Sequence, residues 1–240
     1  LADDALDDLS KSRLEIFLKS WVNTYIKEVL GDLLNLNKED VKNKYIRALM
    51  FRLFENNGVL KRELVDDIVK SIKTDERKKI WELGIKIGRY HIYLPKMLKP
   101  KAVSLRISLW RLFYEMAANQ NIPRSGLNYL IDKKYNKNFL LLCGFEKFKN
   151  HYVRIDILEK LFIKILNKTE KRKFKIDSEM INLIGCNKES FYNLMLCMNY
   201  KKSNEADTYF YIGESRRKSK FINIKKEENP FRKLLNLNLK

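Results

Sequence analysis

Apolar side chains recur every three to four residues along the first third of the chain, and this spacing restricts the fold more than any other feature. Leu14, Phe17, Leu18, Trp21, Tyr25, Ile26 and Val29 share one helical face, with Asp3, Asp4, Asp7 and Asp8 near its N-terminal end and Gly31 as the expected stop. Tyr45, Ile46, Leu49, Met50, Leu53 and Phe54 form a second stripe that ends at Asn57-Gly58, and Leu60, Leu64, Ile68 and Ile72 a third. Connections this short imply antiparallel packing of neighbouring helices.

A fourth helix is expected from about Asp75 to Leu83. The segment from Gly84 to Pro100, GIKIGRYHIYLPKMLKP, carries too many glycines and prolines for a helix and reads as an extended, partly buried loop. Pro100 suits the first turn of a helix whose inward face includes Val103, Leu105, Leu109, Leu112, Phe113 and Met116, ending before Pro123. Residues 120–138 are polar and read as a connection between two parts. Phe145 to Phe148 and His151 to Ile155 can pair as a hairpin across Lys149-Asn150, with Asp156 capping a helix through Leu166. Between Ile176 and Tyr200 lie two helical patterns with their own cappers, Asp177 and Asn187, separated at Gly185, which is helix-turn-helix spacing. Tyr209, Tyr211, Phe221, Ile222 and Ile224 around Gly213 suggest a wing-like hairpin, and Asn229 to Lys240 a frayed basic tail or the start of a further helix. The expected class is mainly α: a helical bundle over residues 1–120 that holds the GRYHIYLP loop, followed by a smaller, basic α+β part over 121–240. That second part has short β-hairpins, a helix-turn-helix-like pair and a winged-helix-like form.

Charge narrows the function. Residues 1–75 hold 13 basic and 14 acidic side chains, and residues 76–240 hold 36 and 16, so the net +19 of the chain is entirely C-terminal. This favours a polyanionic partner, because Lys and Arg beside phosphates release condensed counterions without reading sequence. The abundance of Lys, Asn and Ile is also what an AT-rich genome produces with no such partner. Apolar runs such as Phe139 to Cys143 fall far short of the roughly 18 residues that span a bilayer, and no export pattern opens the chain. A cytoplasmic protein without membrane contact is expected. The chain opens at Leu1 rather than Met, as a piece of a longer polypeptide would.

Motifs for chemistry are absent. There is no GxxxxGK[ST] loop, GxGxxG turn or GxSxG elbow. Cys143, Cys186 and Cys197 lack metal-site spacing, and two histidines, His91 and His151, are too few for a zinc site. His91, between aromatic neighbours, reads as a hydrogen-bonded structural residue. Acidic pairs such as Asp66-Asp67 read as solvated helix faces. Arg89, Tyr90, Tyr93, Lys96, Lys99, Lys101 and Arg106 mix cations with planar rings near a Gly/Pro loop, a composition suited to phosphate contact and base stacking, or equally to core rings ringed by snorkelling lysines.

The Gly84–Pro100 segment resembles the block G-[VI]-x-x-G-R-Y-H-[VI]-[FY]-L-P-x-[LM]-L-K-P found downstream of the motor in bacterial helicases related to the mitochondrial degradosome RNA helicase. Ala2 to Asp7, Val153 to Leu161 and Met180 to Phe191 agree in the same order, so the resemblance spans nearly the whole chain. Residues 119–138 depart from the Pro-rich segment of that family, and the chain is richer in Lys. The resemblance implies a parent ATP-dependent superfamily 2 helicase whose ATPase motifs, with their ATP and Mg, lie in motor lobes upstream of Leu1; no catalytic residue, metal or cofactor falls in this piece. It further implies an accessory C-terminal region that packs on the motor and contacts the translocating strand, RNA more than DNA. On that reading Arg89, Lys96, Lys99, Lys101 and Arg106 touch phosphates, Tyr93 stacks, and Arg154 or the Lys147/Lys149 hairpin makes a second contact. The competing expectation is a protein-interaction module that docks the motor or a nuclease partner. A third, a winged-helix factor reading duplex DNA with residues 176–224, occupies only the last quarter.

Overall fold

A computed structural model describes residues 7–114, 122–131, 135–204 and 207–212. The fold is mainly α with small three-stranded antiparallel sheets. Helix α1 (Asp8–Lys38) runs past Gly31, where a helix tolerates glycine at modest cost. Its buried residues, Ile26, Leu30, Leu33, Leu34 and Leu36, all lie in its second half. Leu14, Phe17, Leu18 and Trp21 of the first half are exposed. Helix α2 (Lys44–Glu55) is capped by the Asn43 side chain, which accepts from the backbone N–H of Tyr45 and Ile46.

The third apolar stripe is not one helix. Leu60 lies in strand β1 (Val59–Lys61), Arg62–Leu64 form a 3-10 turn, and only Asp66–Ser71 are helical, as α3. Strand β1 is drawn out of the helical pattern by pairing across the chain, an influence that local spacing does not contain. Helix α4 (Arg77–Glu82) follows. The Gly84–Pro100 segment then forms strands β2 (Lys86–Ile87) and β3 (His91–Tyr93), joined by a tight turn, and a 3-10 turn at Pro95–Leu98. Strand β3 is central, with Val59 opposite Tyr93, Lys61 opposite His91 and Ile87 opposite Ile92. This sheet closes the first core, which runs from Ile26 to Ala102.

Pro100 opens helix α5 (Pro100–Tyr114) as expected. Its Val103 and Ile107 face a second core with strand β4 (Tyr129–Ile131), helix α6 (Lys137–Leu142) and the hairpin of strands β5 (Phe145–Phe148) and β6 (His151–Arg154). The expected division at residues 120 and 121 falls outside the described residues. Strand β6 leads directly into helix α7 (Ile155–Asn167); Arg154 is its N-cap, and Asp156 sits inside the first turn rather than capping it.

The third core joins α7, strand β7 (Lys173–Lys175), helices α8 (Ser178–Ile184) and α9 (Lys188–Cys197), and strands β8 (Tyr200–Lys202) and β9 (Thr208–Tyr211). Asp177 and Asn187 cap α8 and α9 through their side chains, and Gly185 ends α8 in the left-handed region at φ 77°. The elements run helix, strand, helix, helix and two strands, with sheet order β7-β9-β8. Strand β9, which carries Tyr209 and Tyr211, pairs in a hairpin with Tyr200–Lys202, and Gly213 lies outside the described residues. Phe221, Ile222, Ile224 and the basic tail lie outside the described residues. Among the described residues, no helix is long and apolar enough to cross a membrane.

Candidate nucleic-acid interface

The GRYH turn binds its own protein. Glu159 on α7 is 3% exposed and accepts the backbone N–H groups of Arg89 at 2.6 Å, Tyr90 at 2.8 Å and His91 at 3.0 Å. Three converging amides make an anion nest, and this carboxylate fills it. Gly88 leaves room for the approach: a Cβ there would lie 2.3 Å from the Glu159 carboxyl carbon, so the carboxylate would have to shift. Arg62 donates to the Gly88 carbonyl at 2.9 Å from the other side. Beside this clamp, His91 Nε2 donates to Glu146 at 2.8 Å and Lys61 Nζ to the same carboxylate at 2.5 Å. Burial pushes the Glu146 carboxyl up, but His91 and Lys61 outweigh it and hold the group below the usual carboxylate range. His91 is thus structural, locked between the first sheet and strand β5.

Two residues expected at the surface are interior. Arg106 is fully buried, and its guanidinium donates to the carbonyls of Asn57 at 2.7 Å, Met97 at 2.5 Å and Leu142 at 3.0 Å. Burial lowers its pKa to about 10, which leaves it charged at neutral pH. It therefore bolts α5 to α6 and cannot touch a phosphate. Tyr93 is 1% exposed, packed with Val59 and Ile155, and cannot stack on a base. Arg and Tyr serve an internal junction as readily as a binding surface, so composition alone does not separate the two.

The other expected cations are dispersed. Lys96 pairs with Asp32 of α1 at 3.0 Å, and Arg154 is engaged twice by Asp156, at 2.6 and 2.9 Å. Lys99 and Lys101 are exposed at the start of α5. Lys147 lies over the Tyr152 ring, and Lys149 occupies the left-handed turn of the β5–β6 hairpin. Arg89 alone meets a recess.

Exposed cations gather instead on and around the last sheet. Residues 168–175, KTEKRKFK, bring five cations and one acid into the turn before β7 and the strand itself. Lys168 is taken up by Asp177, whereas Lys171, Arg172, Lys173 and Lys175 are exposed. Phe210 of β9 stands opposite Lys173 on one side and Lys201 on the other, so the outer face of the sheet reads lysine, ring, lysine across three strands. Helix α9, which a duplex reader would insert in a groove, exposes Lys188, Glu189, Asn193 and Leu196, and Lys188 is already paired with Asp207 at 3.3 Å.

Around the β7 edge from this face lies a small open recess of about 140 Å³. Its walls are Tyr90, Phe162, Phe174, Tyr200 and Tyr211, with Arg89 and Arg172 among the lining residues and no acidic side chain. The Arg89 guanidinium sits 5.9 Å from the Phe162 ring centre. Among the described residues, no group of three His, Cys, Asp or Glu side chains is placed to hold a metal ion. No family model, curated protein or solved structure matches the chain.

Proposed function

We propose that this chain is an accessory region of an ATP-dependent superfamily 2 helicase that holds single-stranded nucleic acid, RNA in preference to DNA, while motor lobes elsewhere in a longer cytoplasmic polypeptide advance it. The carrying observation is the Lys173–Phe210–Lys201 row, with Lys171, Arg172, Lys175 and Lys202 around it. Cations at this density attract a phosphate chain, and a ring between them accepts a base face regardless of sequence. ATP and Mg belong, on this reading, to the motor. The poor cationic content of the exposed face of α9 argues against duplex readout. The test is fluorescence anisotropy with a labelled single strand: Lys173→Ala with Lys201→Ala is expected to weaken binding about fivefold or more at low salt, and unchanged affinity contradicts the reading.

A second reading has its own observation. The first half of α1 exposes Phe17 (65%), Trp21 (56%) and Ile16 (69%), more apolar surface than an isolated helix face usually leaves to water. That suits a module that docks the motor or a nuclease without touching nucleic acid. Failure of the wild-type chain to bind any strand, with a partner captured through α1 and lost in Phe17→Asp, would favour it.

A further inference from the structure

The recess beside the GRYH turn has a composition different from the lysine row. We propose that it receives one unstacked nucleobase of the bound strand, with phosphates flanking that nucleotide on Arg89 and Arg172. This deepens the single-strand reading and rests on it.

Four observations support the assignment. The recess is small, about 140 Å³, which suits a single planar ring rather than a larger ligand, and five aromatic rings line it together with Ile165, Leu166 and Thr169. Phe162 is half-buried and Tyr211 is 38% exposed, so ring surface remains available to a planar guest. The two guanidiniums arrive from separate segments, the β2–β3 turn and the turn before β7, and no carboxylate competes for them in the lining. A ligand with a flat, weakly polar body and anionic groups on either side matches that arrangement; an apolar peptide side chain leaves both arginines unanswered.

The site is also set in advance. Arg89 cannot drift, because its own backbone N–H and those of Tyr90 and His91 are held by Glu159, and its guanidinium rests against Phe162. Arg172 follows Lys171 in a turn where both residues take positive φ, 47° and 66°. It directly precedes Lys173, so a strand lying on the lysine row reaches the recess by crossing a single sheet edge. Burial pushes the phenols of Tyr90 and Tyr200 upward, so they stay uncharged and do not repel a phosphodiester.

The experiment compares a labelled oligouridine with an abasic ribose-phosphate strand of the same length. Wild-type protein is expected to prefer the base-bearing strand about five- to a hundredfold, the range for losing a stacked base. Arg172→Ala with Tyr211→Ala, both at exposed positions, should cut that preference at least fivefold. Lys173→Ala with Lys201→Ala should weaken both strands while largely keeping the preference. If the wild-type protein binds both strands equally, or the Arg172/Tyr211 variant keeps its full preference, the recess is not a base site although strand binding stands. If neither strand binds at 50 mM salt, the functional reading fails and the recess proposal with it.

Discussion

At the scale of single residues, the decisive fact is that charge has been taken inside: Arg106, Glu146 and Glu159 are buried and hydrogen-bonded, with only part of the Arg106 guanidinium, its Nε, left without a partner among the described residues. Arg106 donates to three carbonyls from three segments. Arg106→Met keeps much of the volume but leaves those oxygens unpaired, at about 1–3 kcal/mol for each buried group left without a donor. Chemical denaturation should show a loss of more than about 2 kcal/mol, and Arg106→Lys should recover little because an ammonium cannot span the fork. A loss within about 0.5 kcal/mol would mean that water replaces the guanidinium. Glu146 makes a prediction in pH. Its folded carboxyl lies below the ordinary 4.5, so the stability it contributes is complete above that value and drains away as pH falls through the folded one. Melting temperature followed from neutral pH downward should therefore fall in acid, and Glu146→Gln should be less stable at neutral pH with a shallower acid limb. Parallel curves for the two proteins would contradict the pairing with His91 and Lys61.

Among elements, the β2–β3 turn and α7 form one device. The turn supplies three amides, the helix supplies Glu159, and Gly88 supplies the room. Gly88→Ala should cost about 1–3 kcal/mol through overpacking; a neutral result in thermal unfolding would mean that the turn and helix part easily. Much of this level is legible in sequence. The cappers Asn43, Asp177 and Asn187 lie where a polar side chain meets an apolar helical stripe, Pro100 opens α5, and Lys149-Asn150 turns the β5–β6 hairpin. What misleads is pairing at a distance. Leu60 fits a helical stripe but belongs to a strand because Ile92, far along the chain, stands opposite it. Gly31 is a stop signal only when the packing ends with it, and Leu33, Leu34 and Leu36 continue to bury. The acceptor for the GRYH amides is likewise 68 to 70 residues away from them, so local motif reading finds the loop without finding what fills it.

Among the described residues, three principal cores follow one another along the chain, and the buried contacts of Arg106, Glu146 and Glu159 tie them together. The residues expected to grip a strand turn out largely to serve these ties, or to sit apart on separate elements. The positive face instead lies on the last sheet, where the run 168–175 was visible in sequence as five cations in eight residues. Its significance depends on Lys201 and Phe210 being brought beside it by strand order, which spacing alone does not disclose. The helical bundle was thus readable from periodicity, whereas the candidate surface required the register.

Salt dependence of single-strand binding by the wild-type chain tests the central claim most directly. If about five of the cations on and around the β7–β9–β8 sheet neutralise phosphates, affinity should fall roughly a hundredfold between 50 and 200 mM salt, at about −0.7 in the logarithmic slope per contact. An affinity that stays level across that range, or a strand that never binds, would contradict it.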